Sequence, residues 1–358
     1  MDQILFVSGL ALGHVGRLLT IADALSAQGG VEAQFAVPEG IACPNPAESA
    51  GYATHILPFD KTTVTSIRSY ADALETLLGS RKWRCIVLDM NLLRIASAVR
   101  WPDGVPRLIV SNAFICLSGD SPTQQDIEFR RMGSSVNAIR AERGLPPLES
   151  ASALFDADLI CLADPPQICD LYPARPANVL PCGPCNWEYE NGDASPPDAP
   201  ECALLISVGS TGPQHLTGEL VEQLIAWSDS RGAAFLGSSR TKLDDFNGVV
   251  AQHSMAPIRP FLDEAPLVLT HGGTGSTYMA LAAGKPVAIL PHHRNQLILG
   301  QLLERLGVAL LLDERESRYW PHEWPDFAML ETGARKFART IGALDGPSAI
   351  AGHIRSLL

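Results

Sequence analysis

The stretch THGGTGSTYMALAAGK, residues 270–285, decides how the chain is read, because it continues the apolar run PLVLT, residues 266–270. A short apolar run, a turn of small residues and a longer apolar segment spell strand, turn and helix. Two phosphate-binding turns do not fit. G-x-x-x-x-G-K-[ST] fails because Lys285 is followed by Pro286 and Met279 stands where the first glycine belongs. G-x-G-x-x-G fails because no such spacing follows the strand. What is left is a helix beginning near Gly275, whose free N–H groups and dipole favour an anion. Gly272 and Gly273 would let a ligand approach the backbone, with hydroxyls from Ser276 and Thr277 and a ring donor from His271. The plainer alternative is a glycine turn with Thr274 as the helix cap.

Strand–helix alternation runs through the rest of the chain. QILFVSG (3–9), VEAQFAVP (31–38), RCIVLDM (84–90) and RLIVSN (107–112) read as strands. VGRLLTIADALSAQG (15–29) reads as a helix, with Leu18, Leu19, Ala22 and Leu25 at helical spacing. ADLICLA and ANVLPCG close this half, and residues 186–200, dense in Pro, Asp, Glu, Asn and Gly, read as a linker. A second series follows: ALLISVG (strand), QHLTGELVEQLIAWSDS (helix), AAFLGS and GVVAQ (strands), the 266–285 unit, PVAILP (strand), NQLILGQLLERLG (helix) and VALLL (strand). A helical tail runs from Arg335 to Leu358. The expectation is an α/β chain of two Rossmann-like domains with parallel sheets, facing each other across a cleft at the carboxyl ends of the strands. The first domain is placed at 1–185, the linker at 186–200 and the second domain at 201–340, with 341–358 a C-terminal helix packing back towards the first domain.

With 358 residues, 46% of them apolar and 18% charged, the composition suits two ordinary globular domains. A net charge of −12 without a basic block argues against nucleic acid or an anionic membrane surface as partner, but not against a phosphorylated small ligand. No apolar run approaches a membrane span, and MDQILFVSG carries an acid where a signal peptide carries positive charge, so a cytoplasmic protein is expected. Most of the eight cysteines sit in apolar runs and read as reduced core residues. PCGPC (181–185) matches C-x-x-C, yet NWEYENGDASPPDAPE follows it and offers no helix to activate a thiolate.

Two further constellations carry polar groups just past strands. In LGHVGR, His14 has the residue type for a general base, its ordinary pKa lying near neutrality. Asp89, at the end of CIVLD, is a plausible carboxylate to orient it, since a buried Asp needs a partner. The competing readings are a surface histidine at a helix start and an aspartate capping the next segment. In LPHHRNQ, Asn295 and Gln296 offer uncharged donors and acceptors to sugar hydroxyls, and His292 and His293 have no further ligand at metal-site spacing, so no metal is expected.

Together these pieces resemble the nucleotide-sugar-dependent glycosyltransferases of the GT-B fold, in particular the UDP-glycosyltransferase-like group (glycosyltransferase family 1). LGHVGRLLTIADALSAQG, VNAIRAERGLPPL, VLPCGPCNWE, LISVGST and LVLTHGGTGSTYMALAAGKPVAILP…NQ carry the likeness over nearly the whole length. The resemblance implies an inverting, metal-independent hexosyltransferase with no cofactor. Its donor is a nucleoside-diphosphate sugar, with UDP or TDP foremost, and its acceptor a hydroxyl of a natural-product-like small molecule. It implies His14 as base and Asp89 as its orienting acid. It also implies a donor site of Gly13, Gly209, Ser210, Thr211, Met255, Ala256, Ile258, His271, Gly273, Thr274, Gly275, Ser276, Asn295 and Gln296. Met255-Ala256-Pro257-Ile258 replaces the family's Trp-Ala-Pro-Gln, which leaves uridine, thymidine and guanosine open, and Asn295 replaces an acid. GHVGR lacks the proline common in plant members and also resembles GT-B nucleotide-sugar hydrolases. Hydrolysis, or a non-catalytic GT-B auxiliary partner, is therefore the alternative. A homodimer stays open.

Overall fold

Ile4, Leu5, Phe6 and Val7 are all fully buried, the pattern of a parallel strand covered on both faces rather than one. They lie in a computed structural model that describes residues 1–40, 45–59, 64–117, 123–188, 199–208, 214–236, 241–244, 248–253, 256–315 and 318–358. The chain divides into two units, Met1–Cys185 with Asp345–Leu358, and Asn186–Leu344.

The first unit holds seven strands, β1 (Asp2–Val7), β2 (Val31–Pro38), β3 (Ala53–Leu57), β4 (Trp83–Asp89), β5 (Arg107–Ser111), β6 (Leu159–Leu162) and β7 (Val179–Pro181). Their order is β3-β2-β1-β4-β5-β6-β7, and every pairing is parallel. The direction of winding reverses between β1 and β4, the topological switch point where open α/β sheets place their ligands. The helix Leu12–Ala27 follows β1 and turns Val15, Leu18, Leu19, Ala22 and Leu25 inward. The C-terminal helix Gly346–Ser356 belongs to this unit as well, and Arg355 on it bonds Gln28 and the Leu25 and Gly29 carbonyls. Its start fits tightly: a Cβ on Gly346 would lie 2.3 Å from the Gly183 carbonyl oxygen.

The second unit contains β8 (Leu204–Ser207), β9 (Gln214–Thr217), β10 (Ala233–Leu236), β11 (Thr241–Asp244), β12 (Val249–His253), β13 (Val268–Thr270), β14 (Val287–Ile289), β15 (Ala309–Arg315) and β16 (Arg318–Pro321). Its main sheet runs β12-β10-β8-β13-β14-β15-β16. Taken in chain order this is the same 3-2-1-4-5-6-7 winding as in the first unit, with its switch point between β8 and β13. The core beneath it is Leu204, Ile206, Leu220, Leu224, Leu269, Ala288 and Leu310 with their neighbours.

Three sequence expectations need correction. The segment from Gln214 is not one helix: Gln214–Thr217 pairs in parallel with Thr241–Asp244, and the helix is Gly218–Ser228, capped by the Thr217 hydroxyl on Leu220 N–H. The tail is two helices, Phe327–Ile341 and Gly346–Ser356, because Asp345 caps a new start and Pro347 cannot sit inside a continuous helix. The antiparallel strand β16 and the strand β3 were not anticipated. Among the described residues, no helix is long and apolar enough to cross a membrane.

Candidate functional site

In the first unit, His14 sits in the opening turn of the helix after β1, and Asp89 is the last residue of β4. The two strands are neighbours at the switch point, so residues 75 positions apart in sequence meet: His14 Nδ1 lies 2.9 Å from Asp89 Oδ1. Asp89 is fully buried, whereas 19% of the His14 side chain is exposed. The same oxygen accepts the Asn91 backbone N–H at 2.8 Å, so Asp89 caps the following turn and holds the histidine at once. The histidine contact and the cap are thus made by one carboxylate. Burial pushes the Asp89 carboxyl up, but the charges of His14 and Arg17 and their hydrogen bonds outweigh burial and hold it well below the usual carboxylate range.

Sequence reasoning overlooked four residues here, two of which, Arg17 and Asn91, touch the pair itself. Arg17, one turn after His14, donates from Nη2 to Asp89 Oδ2 and from Nη1 to Asn112 Oδ1 at 3.1 Å. Asn112 in turn donates to Asp164 at 2.6 Å, and a second Asp164 oxygen takes the Ala113 N–H. Asn91 places its side-chain amide 3.2 Å from His14 Nε2. It can do so because Gly9, at the end of the first strand segment, has no Cβ: one there would stand 2.9 Å from Asn91 Cβ. The i, i+3 spacing of His14 and Arg17 was the available signal for the first of these. Nothing local points to Asn91.

In the second unit the turn after β13 is built from glycines with different duties. Gly272 has φ +81°, a conformation that favours glycine, and a Cβ there would press on Gln296 and Ile289 at 3.1 Å. A Cβ on Gly273 would lie 2.5 Å from His271 Nε2, so this glycine makes room for the histidine ring. Gly275 has nothing within 4 Å of where its Cβ would be, and the same holds for Gly13. Packing within the chain does not call for glycine at either place.

The helix is Thr274–Ala282, with Gly273 as N-cap and no side-chain cap, so Thr274 does not cap it. Its first internal bond is Thr277 N–H to the Gly273 carbonyl at 3.1 Å. The N–H groups of Thr274, Gly275 and Ser276 therefore have no acceptor within the helix. Thr277 itself is fully buried and bonds Thr270 Oγ1 at 3.0 Å, so it braces the turn and does not offer its hydroxyl outward. Burial, with His292 and His293 adding to it, pushes the His271 pKa down to about 4, so the ring is neutral at pH 7. Its Nδ1 is buried without a hydrogen-bond partner among the described residues.

Gln296 is 6% exposed and its carbonyl oxygen accepts His292 N–H at 2.7 Å, which leaves only its NH₂ for a ligand. Asn295 beside it is half-buried, in the first turn of the helix Arg294–Arg305, which likewise has no side-chain cap. The Ile258 side chain is buried and its carbonyl is engaged by Phe261 and Leu262, so only its N–H could serve a base; Ala256 is half-buried. Gly209, Ser210, Thr211 and Met255 lie outside the described residues. Cys182 and Cys185 are buried free thiols, residues 186–188 after them are not helical, and burial pushes the Cys185 thiol up. Among the described residues, no cluster of three or more His, Cys, Asp or Glu side chains could hold a metal ion.

No family model matches the chain. A PGL/p-HBAD biosynthesis glycosyltransferase of Mycobacterium tuberculosis is 30% identical over 187 residues, 49% of this chain and 42% of that protein. L-demethylnoviosyl transferase of Streptomyces niveus is 26% identical over 234 residues, 58% of this chain and 59% of that protein. The chain thus spans about half the length of these curated relatives. Two solved structures match over almost every residue. Spinosyn forosaminyltransferase gives a TM-score of 0.68 at 17% identity, covering 99% of both chains. A Streptomyces glycosyltransferase complexed with thymidine diphosphate gives 0.68 at 18%, covering 99% of this chain and 100% of that one. The chain has the fold of the GT-B glycosyltransferases, and its curated relatives are glycosyltransferases of natural-product and antibiotic pathways.

Proposed function

We propose that the chain is an inverting, metal-independent glycosyltransferase that moves a hexose from a nucleoside-diphosphate sugar to a hydroxyl of a small, natural-product-like acceptor. The observation that carries this reading is the 2.9 Å contact of His14 Nδ1 with buried Asp89. With Nδ1–H donated to the carboxylate, Nε2 keeps its lone pair for a proton. An acceptor hydroxyl takes the place of the Asn91 amide on Nε2. Its proton passes to His14, its oxygen attacks the anomeric carbon from the face opposite the diphosphate, and the bond from that carbon to the diphosphate oxygen breaks. Inversion follows from this single displacement.

The leaving diphosphate is assigned to the turn after β13. The N–H groups of Thr274–Ser276 that have no acceptor within the helix, the helix dipole and neutral His271 would stabilise the charge that develops on it. Open space at Gly275 supports a backbone that a phosphate approaches closely. Asn295 and the Gln296 NH₂ are assigned to sugar hydroxyls. A structural neighbour complexed with thymidine diphosphate supports a nucleoside diphosphate as the carrier, and UDP or TDP is assigned to that role. Transferase names among the curated relatives favour transfer over hydrolysis.

The test is to incubate the protein with UDP-, TDP- and GDP-sugars, with and without a panel of aromatic and polyketide acceptors, while following nucleoside diphosphate release and product mass. Acceptor-dependent release and a product heavier by one sugar are expected. Equal release in water alone would replace transfer by hydrolysis, and no release from any donor would sink the enzymatic reading.

A further inference from the structure

We propose that Arg17 is a positioning residue for the His14–Asp89 pair, fixing the carboxylate through one oxygen so that the other faces His14 Nδ1. The inference rests on the reading of His14 as base. Asp89 is fully buried, and its two oxygens are divided: Oδ1 faces His14 Nδ1 and receives the Asn91 N–H, while Oδ2 receives Arg17 Nη2. A buried carboxylate facing only an imidazole would draw a proton onto the ring, because the charged pair is the cheapest way to keep the carboxylate ionised inside the protein. Arg17 lessens that pull by sharing the counter-charge. Its Nη2 also stands 3.4 Å from His14 Nδ1, close enough to disfavour a second positive charge there.

Arg17 is held for this duty. It is 5% exposed, and its other terminal nitrogen is fixed by Asn112, whose amide orientation is set by Asp164. Other ionisable groups near this cluster include the Cys185 thiol past β7, which lies within electrostatic reach of Arg17, Cys182, Asp345 and Asp164. The His14 ring itself meets Asp89 and Arg17 at Nδ1 and the Asn91 amide at Nε2.

The experiment is a pH titration of His14 by NMR on histidine-labelled protein without substrate, the resonance being assigned with His14→Gln. Arg17→Met is expected to move the His14 titration midpoint upward by at least one pH unit, a tenfold change. Arg17→Lys should recover part of that shift, since it restores charge but not the two-pronged grip. In the donor assay, kcat/KM of Arg17→Met should need correspondingly higher pH. An unchanged or lower midpoint in folded Arg17→Met overturns the proposal and makes Arg17 a structural counter-ion only. If Arg17→Met does not fold, Asn112→Ala, which frees Arg17 on one side, decides it: a smaller upward shift supports the proposal and no shift overturns it. Because the titration needs no substrate, a shift in a protein without transferase activity would refute the proposed function and leave this inference standing.

Discussion

The two units wind their sheets in the same order and present a polar centre at the same switch point, yet they stabilise charge by opposite means. At β1/β4 the first unit uses side chains: a carboxylate, a guanidinium, an imidazole and two amides, each partnered, mostly out of water. At β13 the second unit uses backbone: glycines, an uncapped helix start and a histidine kept neutral. The first arrangement suits a proton, which needs one group of defined tautomer. The second suits a large anion, which needs several donors at once and no competing side chain. The difference also bears on stability. Ionised groups in the first centre depend on one another, so removing one leaves another charge buried and alone. The second centre has little to lose, because N–H groups without an acceptor in the helix can bond water.

The largest expected effect breaks the comparison at its functional end. His14→Ala should lower kcat by about 10²–10⁴-fold, the usual contribution of a general base, with nucleoside diphosphate affinity nearly unchanged in a calorimetric titration. Equal loss of both would mean that the proton and the anion are not handled in separate centres. Ser276→Ala is the converse: nucleotide affinity should fall by about tenfold, as expected for a hydrogen bond to a charged group. Unaltered affinity would remove the diphosphate from the turn.

Glycine substitutions sharpen the contrast within the second centre. Gly272→Ala should cost about 1–2 kcal/mol in urea denaturation, since its left-handed backbone is strained for any other residue. Gly275→Ala should leave stability unchanged or raise it by up to ~1 kcal/mol, because alanine is the better helix former and space is open, while nucleotide affinity drops. If both variants lose stability alike, Gly275 serves packing and not a ligand.

The smallest effect concerns pH. His271 falls from its ordinary 6.5 to about 4 on folding, so between those values the unfolded chain holds a proton that the folded one lacks. Stability should therefore decline as pH drops through that window, and His271→Asn should flatten the decline. Asp89 acts lower: its ion pairs stabilise the fold above the ordinary aspartate value of 3.8 and are lost only as pH falls through its depressed one. A denaturation series from pH 7 to pH 3 on wild type, His271→Asn and Asp89→Asn separates the two.

Much of this was legible in the chain because it is local. Alternating apolar and amphipathic segments mark buried parallel strands and their crossover helices, since sheets covered on both faces admit few polar residues. The turn at 271–276 announces itself because glycines beside an uncapped helix start have few other uses. Where local signals competed, the reading slipped. QHLT was taken into the following helix, although its backbone finds a parallel partner in TKLD that is 27 residues further on in register. Thr277 was taken as an outward donor, although its hydroxyl is turned in on Thr270.

The residue types fixed what each centre can do: imidazole and carboxylate in one, glycine and hydroxyl in the other, and the α/β alternation that sets each at a strand end. Only the tertiary structure decided which groups act together. His14, Arg17, Asp89, Asn112 and Asp164 are scattered over four strand units and meet because β1, β4, β5 and β6 are laid side by side in that order. A buried charge chooses its partners by distance in space, and the order of strands in a sheet, which sequence separation does not reveal, sets that distance.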